Sequence, residues 1–287
     1  MRDAIAPILA LCAATIAGCA PAAPRDAKPT PDAPEYPERA PAGVELRLMN
    51  LDDSGARVAR ALAPHDTPGA VLDPGERAVW RDWGLRWIEV PTEELDATLA
   101  SQRPTRPVES RDLGVFPRWR PLIRTGAMRA TRVAQPGGSV RELSGRPRLI
   151  ARAWEIPEIT GPERVERRLR LEVALQLVPL QTRPDPITPA RRPSEIQRGP
   201  LLGPGALGVT LDGDTALVLV GVDPEVSWVI DETGAVRVEA PSHEPGVGPG
   251  APDYPSMGAA MLARSGAEPR RVLLVLVPRT GERGARP

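Results

Sequence analysis

His65 and His243 are the only histidines of this chain, and each stands beside an acid, Asp66 and Glu244. A general base or a metal site uses such pairs, provided the imidazoles converge with further ligands. These two lie far apart in the sequence, in stretches rich in proline and glycine, which reads as surface placement. Gly203-Pro204-Gly205-Ala206-Leu207-Gly208 spells G-x-G-x-x-G. A phosphate cradle needs a strand before those glycines and a helix N-terminus after them, whose free N–H groups meet the anion. Here a proline-punctuated stretch precedes and a strand pattern follows, so the run reads as a loop. Asp212, Asp214 and Asp223 lack the ligand spacing of a calcium loop and read as turn residues. Trp80, Trp83 and Trp87 fall near helical spacing, which suits either a carbohydrate-stacking platform or core packing, and core packing is expected. The sequence holds no G-x-x-x-x-G-K-[ST], no G-x-S-x-G and no H-E-x-x-H. No catalytic residue, metal site or cofactor is therefore assigned.

Charge gives the one lead toward a partner. The chain of 287 residues has a formal net charge of zero, which does not indicate a globally basic nucleic-acid binder. The charge is unevenly spread, however. Arg111 to Arg170 holds 14 arginines against 6 acids, whereas Gly205 to Met261 holds 9 acids against Arg237 alone. The basic part suits docking of an anionic envelope polymer or an envelope protein's acidic surface, with Arg118, Arg120, Arg124 and Arg129 as the candidate contacts. The competing account pairs the two segments in one sheet, where arginines neutralise Asp212, Asp214 and Asp223 across strands.

The elements that would carry these residues follow from periodicity. Val44, Leu46 and Leu48 alternate with polar positions and predict a strand, followed by a loop. Asp73-Pro74-Gly75-Glu76 combines an N-cap, a first-position proline and a glutamate three residues after the cap, and so opens a helix that Gly84 ends. Leu85 to Val90 predicts a strand, and Pro91-Thr92-Glu93-Glu94 opens a second helix, apolar at Leu95 and Leu99. Beyond Arg103 the chain is strand-rich. Leu169, Leu171, Val173, Leu175 and Leu177 lie on one face of a strand, with Arg168, Arg170, Glu172 and Gln176 on the other, toward water. Arg148 to Ile156 is its expected hairpin partner, across a turn at 157–162. Asp212-Gly213 predicts a two-residue hairpin turn between Leu207–Leu211 and Thr215–Val220, and a second hairpin surrounds Glu232-Thr233-Gly234. Ser256 to Arg264 predicts a short helix. Arg271 to Val277 is nearly all apolar and predicts an interior strand covered on both faces. The fold class is α+β, a small βαβα N-terminal unit followed by a mainly antiparallel β region.

Ahead of these elements, Ala4 to Ala17 is an apolar run of signal-peptide length, and Ile16-Ala17-Gly18-Cys19 closes it. That closing motif resembles the lipobox of bacterial lipoproteins, which implies cleavage before Cys19 and lipidation of its thiol. Cys12 leaves with the signal, so the mature chain would have neither a disulfide nor a thiolate nucleophile. An N-acylated, diacylated cysteine carries more than the two signals that stable membrane anchoring takes. Ala20 rather than Asp follows it, which by the sorting rule of enteric bacteria favours the outer membrane. Seven prolines between Pro21 and Pro41 make a semi-rigid spacer of about 60 Å at most. The expected divisions are signal 1–18, linker 19–43, α/β unit 44–125, β domain 126–279 and a tail at 280–287.

The lipobox signal, the stretch Val79-Trp80-Arg81-Asp82-Trp83-Gly84-Leu85-Arg86-Trp87 and the tail from Pro255-Ser256-Met257-Gly258 to Leu276 together resemble uncharacterised lipoproteins of planctomycete-type bacteria. That resemblance implies an envelope location and no activity. Leu211 to Leu219, taken with Arg271 to Arg279, is similar to the end of secretin β-domains, where a turn and an apolar strand lead to a terminal strand closing in Pro-Arg. It implies, as an alternative, a degenerate secretin-like component of an outer-membrane secretion complex. The leading expectation is a lipid-anchored envelope protein with a non-catalytic binding or scaffolding role.

Overall fold

The computed structural model describes residues 42–52, 56–161, 164–180, 194–222, 227–230, 236–239, 254–264 and 270–279. Cys19, the linker as far as residue 41, His243, Asp223 and the turn at 232–234 lie outside them.

The chain is mainly antiparallel β with a few short helices. Its N-terminal region runs β1 (Gly43–Leu51), α1 (Ala56–Leu62), a 3-10 turn (Ala63–His65), α2 (Pro74–Asp82), β2 (Leu85–Pro91) and α3 (Leu95–Leu99). There follow β3 (Glu109–Gly114), β4 (Phe116–Arg124), β5 (Met128–Ala134), β6 (Val140–Gly161), β7 (Arg164–Val178), β8 (Leu201–Leu211) and β9 (Thr215–Gly221). The last elements are β10 (Ser227–Ile230), β11 (Val236–Glu239), α4 (Met257–Leu262), β12 (Ala263–Arg264) and β13 (Arg270–Arg279).

Two principal sheets result. The inner sheet has the order β2-β9-β13-β1-β3, with the short β12 beside β13. The outer sheet has the order β4-β6-β7-β8, with β5 also on β6. Both are antiparallel throughout. The stretch 44–125 thus shares the inner sheet with strands from beyond 200 and gives β4 to the outer one.

Between the sheets lies the larger core. Val44, Leu46, Trp87, Leu217, Leu219, Leu274 and Leu276 of the inner sheet meet Leu149, Ala151, Leu171, Val173, Leu207 and Val209 of the outer one. The inner sheet's other face is buried as well. Met49, Ile88, Val90, Val218, Val220, Leu273, Val275 and Val277 pack under Val58 and Leu62 of α1 and Leu95 and Leu99 of α3. This double burial explains the uninterrupted apolar run of β13, which sits between β1 and β9 as an interior strand.

Several local signals act as their chemistry requires. Asp73 caps α2, its carboxylate accepting from the Glu76 amide at 3.0 Å. Gly84 ends that helix at φ +75°, where its Cα also lies against Ser256. Ser256 in turn caps α4 by accepting from the Ala259 amide at 3.1 Å. The β10–β11 hairpin forms in register from Ser227↔Glu239 to Ile230↔Val236.

Other expectations need correction. The loop expected after β1 contains α1, whose Val58, Ala59 and Leu62 are fully buried. The predicted hairpin around Asp212-Gly213 does not form, because β8 pairs with β7 whereas β9 pairs with β13 and β2. At that turn the chain passes from one sheet to the other. β9 is buried on both faces and needs a place inside the inner sheet, whereas β8 alternates and suits an outer-sheet edge. The G-x-G-x-x-G run is a stretch of strand β8 rather than a loop, with a register shift opposite Ala174 and Leu175. The β6–β7 pairing also runs past the expected turn at 157–162, as far as Gly161↔Arg164.

Candidate functional site

The outer sheet's free surface is built by alternation. In β7, Leu169, Leu171, Val173, Leu175 and Leu177 face the core. Their neighbours Arg168, Arg170, Glu172 and Gln176 must face away. Register then brings Arg152 opposite Glu172, Trp154 opposite Arg170, and Arg170 opposite Thr210. Arg152 donates to Glu172 at 2.6 Å, and its guanidinium lies 5.0 Å from the ring centroids of both Trp119 and Trp154. Trp119 and Trp154 are half-buried. Arg170 lies across the backbone of Gly208, where a side chain would collide with its guanidinium, and donates to Thr210 Oγ1 at 3.3 Å. No carboxylate among the described residues pairs with Arg170.

One end of this face is closed. Gln176, which alternation assigns to the water-facing side, is instead fully buried. Its amide nitrogen donates to the carbonyls of Ile196 and Gly199, at 2.8 and 2.7 Å. Arg148 donates to Gln176 Oε1 at 2.9 and 2.7 Å and to Glu195 Oε2 at 2.5 Å. This satisfied polar cluster ties the 3-10 turn Glu195–Arg198 onto β6 and β7. Period-two counting assigns Gln176 to a face, and it says nothing of which later segment covers that face.

The four candidate docking arginines occupy the edge of the outer sheet. Arg118, Arg120 and Arg124 lie on β4 and Arg129 on β5, strands that each pair only with β6. All four are exposed, and none forms an ion pair with a described residue. Arg120 sits 5.8 Å from the Phe116 ring, and Arg124 stands opposite Arg148 in the strand register. β4 has register shifts between Phe116 and Arg120 and between Pro121 and Ile123, and Pro117 and Pro121 remove two amide donors. Prolines, bulges and cations together blunt an edge against strand addition. The cross-strand carboxylates of the basic segment go to other arginines, in the pairs Arg152–Glu172, Arg167–Glu155 and Arg168–Glu158. Asp212 and Asp214 are exposed, and Asp212 Oδ1 accepts from the Asp214 amide at 3.2 Å, which fits their reading as turn residues.

The remaining polar clusters hold structure together. His65 Nε2 lies 3.2 Å from Thr98 Oγ1 and 4.0 Å from Glu94 Oε2. Its neighbour Asp66 binds Arg77 at 2.9 Å and the buried Arg86 at 2.5 Å. The Arg86 guanidinium stacks 4.3 Å from the Trp228 ring, and burial pushes its pKa down against the opposing pull of Asp66. At the end of the inner sheet, Glu45 accepts from Arg47, Ser110 and Arg279 at 2.9, 2.7 and 2.7 Å. The hydrogen bond from Arg47 does most to hold the Glu45 carboxyl down at about 2, against the effect of its burial. Among the described residues, no three His, Cys, Asp or Glu side chains are placed to share a metal ion. Trp80 and Trp87 are buried in an edge-to-face pair, 5.8 Å apart at 71°, and belong to the core. Trp83 lines a shallow crevice with Trp80, Leu85, Leu175, Leu202 and Gly203 that has no room for a water molecule and so is no ligand pocket.

No family model matches the chain, and no curated protein or solved structure matches it significantly.

Proposed function

We propose that this is a lipid-anchored, non-catalytic binding or scaffolding protein of the cell envelope. Lipid on Cys19 holds it, at the outer membrane, and its outer sheet docks an anionic partner. The observation that carries this reading is the set of four exposed arginines, Arg118, Arg120, Arg124 and Arg129, without carboxylate partners among the described residues on one blunted sheet edge. A cationic side-chain surface whose backbone is closed to strand addition recruits a partner by charge. A secretin-like ring component calls for strands with one face left for a shared barrel, whereas β9 and β13 are covered on both.

Affinity capture from native membranes tests the reading. The account expects an anionic envelope component that co-purifies at low salt and is lost toward 1 M salt, where the Debye length is about 3 Å. Recovery of no component, or of one indifferent to salt, would contradict it. Cys19→Ser tests the anchor independently, and is expected to release the protein from membranes or leave an unprocessed precursor.

A further inference from the structure

We propose that the open face of the outer sheet is a binding site for an acidic polysaccharide, with Trp154 and Trp119 stacking sugar rings and Arg170 taking the sugar carboxylate. This rests on the docking reading above and names the class of partner and a second, distinct set of contacts.

The site is an ordered row. Trp119 of β4 and Trp154 of β6 flank Arg152 at equal centroid distances of 5.0 Å, and Glu172 fixes that guanidinium from β7. Arg170 follows beside Trp154 in the register, its guanidinium against Gly208 and Thr210 as its hydrogen-bond partner. Glu172 neutralises Arg152, which acts as a spacer between the indoles, whereas no described carboxylate compensates the charge of Arg170 at the end of the row.

The chemistry of the occupant follows from the shape and charge of the row. A sheet face presents side chains and no backbone hydrogen-bonding groups. An acidic peptide that used its main chain would have to enter at an edge, and Pro117, Pro121 and two bulges obstruct that route on β4. Flat indoles beside a planar guanidinium match a ligand built of rings that carry acid groups. Exposed Arg118, Arg120 and Arg124 lie on the same edge strand as Trp119 and add positive charge near the row, which favours a polymer over a single sugar.

Three probes decide it on the full-length protein: polygalacturonate (acidic, ring-built), polyglutamate (acidic, without rings) and dextran (rings without acid). Wild type is expected to bind polygalacturonate more tightly than polyglutamate and to leave dextran unbound. Trp154→Leu is expected to weaken polygalacturonate binding about tenfold, with polyglutamate binding held within about twofold. Trp154→Phe keeps a ring and is expected to restore most of the loss. Arg170→Gln is a second route that leaves the aromatic row in place, and is expected to weaken polygalacturonate binding alone. Equal binding of both polyanions, with no effect of Trp154→Leu or Arg170→Gln, overturns the polysaccharide site. If reversal of Arg118, Arg120, Arg124 and Arg129 still abolishes that binding, charge-driven docking survives without the site. Binding of dextran as tightly as polygalacturonate, or of no probe, also overturns it.

Discussion

The two sheets of this protein are both antiparallel and share one core, yet they treat their second faces in opposite ways. The inner sheet buries its second face under α1 and α3, and its strands β9 and β13 are apolar on both sides. The outer sheet buries only one end of its second face, at Arg148, Ile150, Ala174 and Gln176, and leaves the rest half-exposed with arginine, tryptophan and glutamate in register. Tolerance to change should therefore divide between the sheets. Substitutions in the inner sheet act on folding whichever way the side chain points, whereas those in the outer sheet separate by parity away from the covered end at Arg148, Ile150, Ala174 and Gln176.

The strongest test of that division is a charge inside β13. Val275 is fully buried on the helix-covered face, so Val275→Asp would bury an unpaired carboxylate and is expected to leave no soluble folded protein. A folded Val275→Asp variant would mean that water reaches this face. Next comes a matched pair in β7. Leu171→Ala removes a fully buried side chain and is expected to cost about 2–5 kcal/mol, whereas its neighbour Arg170→Ala is expected to cost under about 1 kcal/mol. Comparable losses in urea unfolding at both positions would break the parity argument.

A third test is electrostatic. The Glu45 carboxyl has its folded pKa lowered, so the stability it supplies is fully present above its ordinary range near 4.5 and is lost as pH falls toward about 2. Glu45→Gln is expected to cost up to about 3 kcal/mol at neutral pH, with wild type and variant converging by about pH 2. A stability gap that does not shrink with acidification would show that the cluster acts through packing instead. The smallest effect on stability concerns the outer edge. Replacing Pro117 and Pro121 with valine is expected to change stability by under about 1 kcal/mol while promoting concentration-dependent self-association through β4. Sedimentation that stays monomeric at every concentration would show that these prolines are not edge guards.

How far the sequence foretold this arrangement depends on whether a signal is local. The cap at Asp73, the stop at Gly84, the interior character of Arg271–Val277 and the alternation of β7 could all be read within a few residues. Which sheet a strand joins is a long-range property. Asp212-Gly213 has hairpin chemistry, yet the different burial of β8 and β9 sends them to separate sheets. The same limit hid the covering of Gln176, which depends on Glu195–Arg198 folding back over β7. Helix α1 was locally legible, since Val58, Ala59 and Leu62 have helical spacing, but the run is short and begins without a proline or an acidic first turn. At the candidate site, charge counting found the arginine excess. The Trp119–Arg152–Trp154 row stayed hidden because it joins two strands through a register that only the fold supplies.

The outer sheet's exposed arginines are proposed to serve a partner rather than the fold. The most direct measurement is binding of the Arg118→Glu, Arg120→Glu, Arg124→Glu, Arg129→Glu variant to an anionic envelope fraction, with its urea midpoint recorded on the same preparation. The account predicts lost binding at a midpoint within about 1 kcal/mol of wild type. A destabilised variant that still binds would contradict it.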